Sequence, residues 1–185
     1  MKKRKTGRRS ARAEGTQPSF FPWQLCSRFI PYDKTRKGRA QNMSVKQISV
    51  FIENAPGKLA AFTRMLGEKG IDLVSLSIAD TTSFGILRGI VADYEAAVKI
   101  IEEAGYTARL NDVLAVEVPD RPGGLAEILT KLSESGVEIE YLYSFVRNKS
   151  DKALIVFRVA DIDKAVQILE AHQVKCLNQE DIGKV

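Results

Sequence analysis

The residues that do most of the chemistry in proteins are scarce in this chain. There is one histidine, His172, and there are two cysteines, Cys26 and Cys176, in 185 residues. With a single imidazole, no serine can be assigned both a base and an orienting acid, which argues against a Ser-His-Asp triad. The two cysteines form no CxxC pair. A disulfide framework is therefore not expected, and a reducing compartment, the cytoplasm, is. His172 and Cys176 are four residues apart, but two ligands do not make a metal site. Neither a Walker loop nor a GxGxxG turn is present, so no cofactor is expected. No apolar run approaches the roughly 20 residues that cross a bilayer, and the basic start lacks the apolar segment of a secretory signal. Glu138 and Glu140 share a strand face and have the types of an acid/base pair, although carboxylates on a solvated strand face are commoner.

What is present is hydrophobic content of 44%, enough to bury a core, and a net charge of +5 that is unevenly spread. Residues 1–42 carry 12 Lys and Arg against 2 acidic residues; the remainder carries 16 against 21. The basic pI thus belongs to the first 42 residues and the body is mildly acidic. Pro18, Pro22 and Pro31 break any helix there, and disorder is expected. Three readings compete for this segment: a nucleic-acid arm with Phe20, Phe21 and Trp23 available to stack, an organelle transit peptide, or a translated leader upstream of a start at Met43. The last is preferred, because Met43-Ser44-Val45 stands immediately before the first strand. Nucleic acid is thereby disfavoured as a partner. N-terminal sequencing of native protein is expected to begin near Met43, and a sequence beginning at Met1 would refute the leader.

The body is a duplication. Glu53-Asn54-Ala55-Pro56-Gly57-Lys58-Leu59 corresponds, 66 residues on, to Pro119-Asp120-Arg121-Pro122-Gly123-Gly124-Leu125. Gly70-Ile71-Asp72-Leu73 then corresponds to Gly136-Val137-Glu138-Ile139. An internal repeat names the structural unit before any single motif does. In the first copy, Val45–Ile52 alternates as a half-buried strand, and Leu59, Phe62 and Leu66 mark an amphipathic helix. Strands follow at 71–79 and 84–91, joined by the polar turn Asp80-Thr81-Thr82-Ser83. Asp93 caps a helix bearing Ala97, Val98 and Ile101, and a fourth strand covers 106–112. The second copy repeats the order: strand 113–118, a helix with Leu125, Ile128 and Leu132, a hairpin of 137–147 and 153–159, a helix capped by Asp161, and a short strand 174–177. Its hairpin turn, Asn148-Lys149-Ser150-Asp151, is the longer one.

The reading is α+β: two ferredoxin-like βαββαβ units, residues 45–112 and 113–182, each with helices on one face of an antiparallel sheet. A junction of almost no residues at Asp112-Val113 forces the units together, edge to edge, into one antiparallel sheet of about eight strands. The second sheet face would be left uncovered. Tyr141, Tyr143 and Phe145 share one side of their strand, so something must cover that stripe: sheet packing against a second subunit, or a ligand.

The turn from first strand to first helix is the candidate site in each copy. A helix start offers unpaired N–H groups and the positive end of the dipole, and glycine lets a ligand approach the backbone. Gly57 and the Gly123-Gly124 pair suit a carboxylate, and Asn54 and Asp120 suit an ammonium. The glycine pair makes the second turn the roomier one. The alternative is that Asn/Asp-x-Pro-Gly is only a way into a helix.

The order βαββαβ with Asn/Asp-x-Pro-Gly-x-Leu closing the first strand resembles the ACT domain, through Asn54, Pro56, Gly57 and Leu59 and again through Asp120, Pro122, Gly123 and Leu125. The resemblance spans roughly 45–182. It implies a non-catalytic regulatory module that binds a free amino acid at interfaces between paired domains and controls amino-acid metabolism. The turns, with Ala55, Lys58, Arg121 and Gly124, would meet the α-carboxylate and α-amine. The second strands, with Ile71, Asp72, Leu73, Val137, Glu138 and Ile139, would line the side-chain pocket. It also implies a homodimer or larger assembly and a regulated enzyme as partner, as in a regulatory subunit of the acetolactate synthase kind. ACT domains usually ride beside a catalytic or DNA-binding domain, and none is visible here.

Overall fold

The computed structural model describes residues 42–80, 84–145 and 152–184. The expectations for residues 1–41, for the turn at 81–83 and for the turn at 148–151 lie outside the described residues. The elements run β1 (Val45–Glu53), α1 (Lys58–Glu68), β2 (Leu73–Asp80), β3 (Phe84–Val91), α2 (Tyr94–Glu103) and β4 (Ala108–Pro119). There follow α3 (Gly124–Glu134), β5 (Ile139–Ser144), β6 (Lys152–Val159), α4 (Ile162–Ala171), β7 (Cys176–Leu177) and α5 (Gln179–Ile182). The duplicated βαββαβ order is therefore realised.

The sheet has seven strands in the path β2-β3-β1-β4-β6-β5, with β7 also on β4. It falls short of eight because the last strand of the first repeat and the first strand of the second are one. Val45↔Val113 to Val50↔Ala108 pair the first half of β4 with β1, and Leu114↔Phe157 to Pro119↔Lys152 pair its second half with β6. The absent linker at Asp112-Val113 thus became an uninterrupted strand, which fixes the register between the repeats.

Each repeat buries its own helical layer. In the first, Ile48, Val50 and Ile52 of β1 meet Phe62 and Leu66 of α1 and Ala97 and Ile101 of α2. In the second, Leu114, Val116 and Val118 meet Ile128 and Leu132 of α3 and Val166 and Leu169 of α4. Asp93 and Asp161 cap as expected, accepting from the Ala96 and Lys164 amides at 3.0 Å each. These caps satisfy donors that a helix start leaves open.

The opposite sheet face is not left bare. The sheet curls, and residues of both repeats form a third core there: Val45, Ile90, Val113, Ala115, Leu154 and Val156, with Phe145, Leu177 and Ile182. The last of these comes from α5, a short helix that hydrophobic periodicity could not mark in four residues. Its signal was a capping box, in which Asn178 and Asp181 hold each other's backbone amides.

The aromatic stripe closes on the first repeat of its own chain, and no second subunit is needed to cover it. Buried Gln47 donates from Nε2 to the Tyr141 hydroxyl at 2.8 Å and accepts from the Tyr143 hydroxyl at 2.9 Å. The Arg88 guanidinium lies 4.1 Å from the centre of the Tyr141 ring. Ser49 receives hydrogen bonds from Gln47 and Asn111 at 3.0 and 2.9 Å. The alternating polar residues of β1 that read as a solvated face are thus a buried polar seam between the repeats.

Candidate functional site

The two duplicated turns have the same backbone. Ala55 N donates to Glu53 O and Lys58 N to Ala55 O; Arg121 N donates to Pro119 O and Gly124 N to Arg121 O. Gly57 and Gly123 then turn the chain into α1 and α3 at φ +83° and +87°. That left-handed conformation is what glycine supplies, and it explains why both copies place one there. Asn54 and Asp120 do not cap these helices; neither helix has a side-chain cap. Among the described residues the Gly57 and Gly123 amides have no acceptor. The next helical amides, Lys58 and Gly124, are spent on the turns themselves.

The cations of the turns are also engaged. Lys58 Nζ lies 2.8 Å from Glu53 Oε2, and that hydrogen bond raises the lysine pKa. Arg121 lies 2.6 Å from Glu127. Both pairs are exposed and contribute little to stability.

The two turns differ in the space around them. Beside the first lies a cavity of about 100 Å³. Buried Ile52 and Leu87, partly exposed Leu59 and Ile78, and Gly85 give it an apolar lining, with Glu53, Asn54 and Ala55 completing it. A larger and more open depression of about 470 Å³ borders the same Glu53-Lys58 pair and includes Phe51, Phe84 and Tyr106. Only the smaller cavity includes turn residues Asn54 and Ala55.

At the second turn a Cβ on Gly124 would sit 2.1 Å from the Pro119 carbonyl oxygen, so that glycine serves close packing of the turn on its own strand, while a Cβ on Gly123 would meet nothing within 4 Å. Leu125 packs against the second core, as does Ala153, which stands where Gly85 stands in the first repeat.

Of the residues expected from sequence, Asn54, Ala55 and Leu59 line the cavity, and Pro56, Gly57 and Lys58 build the turn behind it. Asp120, Arg121 and Pro122 form the matching turn of the second repeat and are exposed. Ile71, Asp72 and Leu73 lie at the other end of α1, an 11-residue helix and hence roughly 16 Å long. Ile71 and Leu73 pack on the first core, and Val137 and Ile139 on the second, while Asp72 and Glu138 are exposed. Within one chain the turns and these strand starts are therefore not brought together. The strand residues that do reach the cavity, Ile78, Gly85 and Leu87, were missed. Gly85, inside a strand, is the kind of signal that marks open space or close approach.

Among the described residues no group of three His, Cys, Asp or Glu could hold a metal. Burial pushes the Cys176 thiol up to about 12, which makes it a poor nucleophile. Glu140 is 3.5 Å from Arg158 and forms no dyad with Glu138 on these contacts. No helix among the described residues is long and apolar enough to cross a membrane.

The model of the ACT domain pair matches residues 43–185. The chain belongs to the ACT domain family. The match covers both repeats and leaves the basic segment outside. A protein of known structure from Bacteroides thetaiotaomicron is 39% identical to this ACT pair, covering 77% of this chain and 98% of its own, with a TM-score of 0.72. The ligand-free regulatory subunit of aspartate kinase from Thermus thermophilus shares the fold at 20% identity and a TM-score of 0.53, over 72% of this chain and 94% of its own. The corresponding subunit from Thermus flavus is 18% identical with a TM-score of 0.50, over 70% and 92%. No curated protein matches.

Proposed function

We propose that this ACT pair is a non-catalytic sensor of a free amino acid, and that the first turn is its working site. The observation that carries the reading is the cavity of about 100 Å³ beside Asn54 and Ala55, next to a helix start whose amides are not all spent. An α-carboxylate is favoured at such a start by the dipole and the open N–H groups. The Asn54 carboxamide, which has no partner among the described residues, accepts from the α-ammonium. The regulatory subunits of aspartate kinase share this fold, and a regulated biosynthetic enzyme is the partner class the reading assigns to this chain.

The reading includes a homodimer. Leu76 and Ile78, 39% and 45% exposed, lie on edge strand β2, and an apolar edge of this kind is covered when two copies meet. A second copy would also bring a strand start such as Ile71–Leu73 within reach of a turn, which one chain alone does not do. Ligand held between copies biases their packing, and that bias is the signal passed on.

Thermal unfolding and light scattering of the full chain, with each common amino acid at millimolar concentration, test the reading together. One amino acid at about 100 times its Kd is expected to stabilise the protein by about 3 kcal/mol, and scattering is expected to report a dimer. An unchanged melting temperature with every amino acid would remove the sensor function, and a monomer at all concentrations would remove the dimer.

A further inference from the structure

We infer that the first-turn cavity selects an aliphatic side chain of about four carbons, and that the chain binds one such amino acid rather than two. The inference rests on the proposed reading that an amino acid binds at this turn.

Size and lining set the class. An apolar cavity of about 150 Å³ accepts benzene, six carbons; in proportion, about 100 Å³ holds about four. Ile52, Leu59, Ile78 and Leu87 present only hydrocarbon to it. Its one charged neighbour, Glu53, is already paired with Lys58. A cationic or anionic side chain placed here would lose water and gain no counter-charge, which is strongly unfavourable. Leucine and isoleucine fit, valine underfills, and alanine leaves most of the space empty.

The second repeat lacks the same apolar lining at two positions that the strand register makes explicit. Ile78 faces Leu87 across β2 and β3, whereas Ser144 faces Ile155 across β5 and β6. Gly85 faces Ile52, whereas Ala153 faces Val118. The apolar wall has become an exposed serine, and the open position has gained a methyl group that packs on the core together with Leu125. Leu59, by contrast, stays 37% exposed at its own cavity.

Isothermal titration of the full chain with leucine, isoleucine, valine, alanine, lysine and aspartate tests both parts. Leucine or isoleucine is expected to bind tightest, at one per chain, with affinity falling about fourfold for each methylene removed. Gly85→Ala places a Cβ 3.2 Å from Ile78 Cγ2 and narrows the cavity. It is expected to weaken leucine at least tenfold. Ile78→Ser removes the wall instead of filling the cavity and is expected to weaken leucine similarly, with light scattering separating that loss from a loss of the proposed dimer. Lysine or aspartate binding as tightly as leucine, two molecules per chain, or leucine binding unmoved by both variants would overturn the inference while leaving amino-acid sensing intact. Heat from none of the six, alongside a null thermal screen, would overturn the sensor reading as well.

Discussion

Gly124→Ala is expected to destabilise the protein by about 3 kcal/mol, whereas Gly67→Ala is expected to stabilise it by about 0.5–1 kcal/mol. The two substitutions are chemically identical, and both fall in a first-layer helix. They differ in what the added methyl meets. At Gly124 it would stand 2.1 Å from the Pro119 carbonyl oxygen and 3.1 Å from the carbonyl carbon, which are backbone atoms that no rotamer change can move. At Gly67 it meets nothing within 4 Å, in ordinary helical backbone, so the replacement removes only unfolded-state freedom. The first repeat carries Lys58 at the place of Gly124, so the family turn does not itself demand glycine there. The demand comes from how tightly the second turn sits on the end of β4. Denaturant melts of both variants check the signs. Equal, small effects would mean that the second turn relaxes at little cost.

That contrast shows where the sequence could be read and where it could not. The repeat, the element order and the helical faces were legible because each depends on local periodicity: Phe62 and Leu66, or Ile128 and Leu132, are spaced as one buried stripe must be. Asp93 and Asp161 announced their helices through a bond made within three residues. The turns were legible as turns, since positive φ at Gly57 and Gly123 is a local requirement. Their use was not. Whether a glycine leaves space or fills a tight contact depends on which atoms another strand brings near, and that is set by register across the sheet. The same reason hid Ile78 and Gly85, which lie on strands distant in sequence from Asn54, and hid the burial of Gln47 and Ser49. Alternation correctly placed those two opposite the apolar face of β1, but alternation does not reveal that a sheet curls far enough for its outer strand to cover them.

Gln47→Leu is expected to cost about 2–4 kcal/mol, even though it replaces a buried polar side chain by an apolar one of similar size. Gln47 is fully buried and is the common partner of Tyr141 and Tyr143, residues more than 90 positions away in the other repeat. Leucine would leave both half-buried hydroxyls facing it without a partner, and each unsatisfied group costs about 1–3 kcal/mol when buried. Removing the partner as well should return part of the loss: the pair Gln47→Leu with Tyr143→Phe is expected to be less destabilising than the two single effects added, by about 1–2 kcal/mol. An additive pair would mean that water replaces the lost bonds and that the seam does not couple the repeats. Alkaline titration gives an independent reading. Burial, reinforced by the neighbouring Tyr141, raises the Tyr143 pKa above its ordinary value, so the unfolded chain releases that proton first. The stabilisation is full below about pH 10, the unfolded value, and is lost as pH rises beyond it. Tyr143→Phe should lack that component of the alkaline loss. Because the seam joins β1, whose far end carries Glu53 at the cavity, to β5 of the second repeat, weakening it also loosens the repeat proposed to bind the ligand from the other repeat.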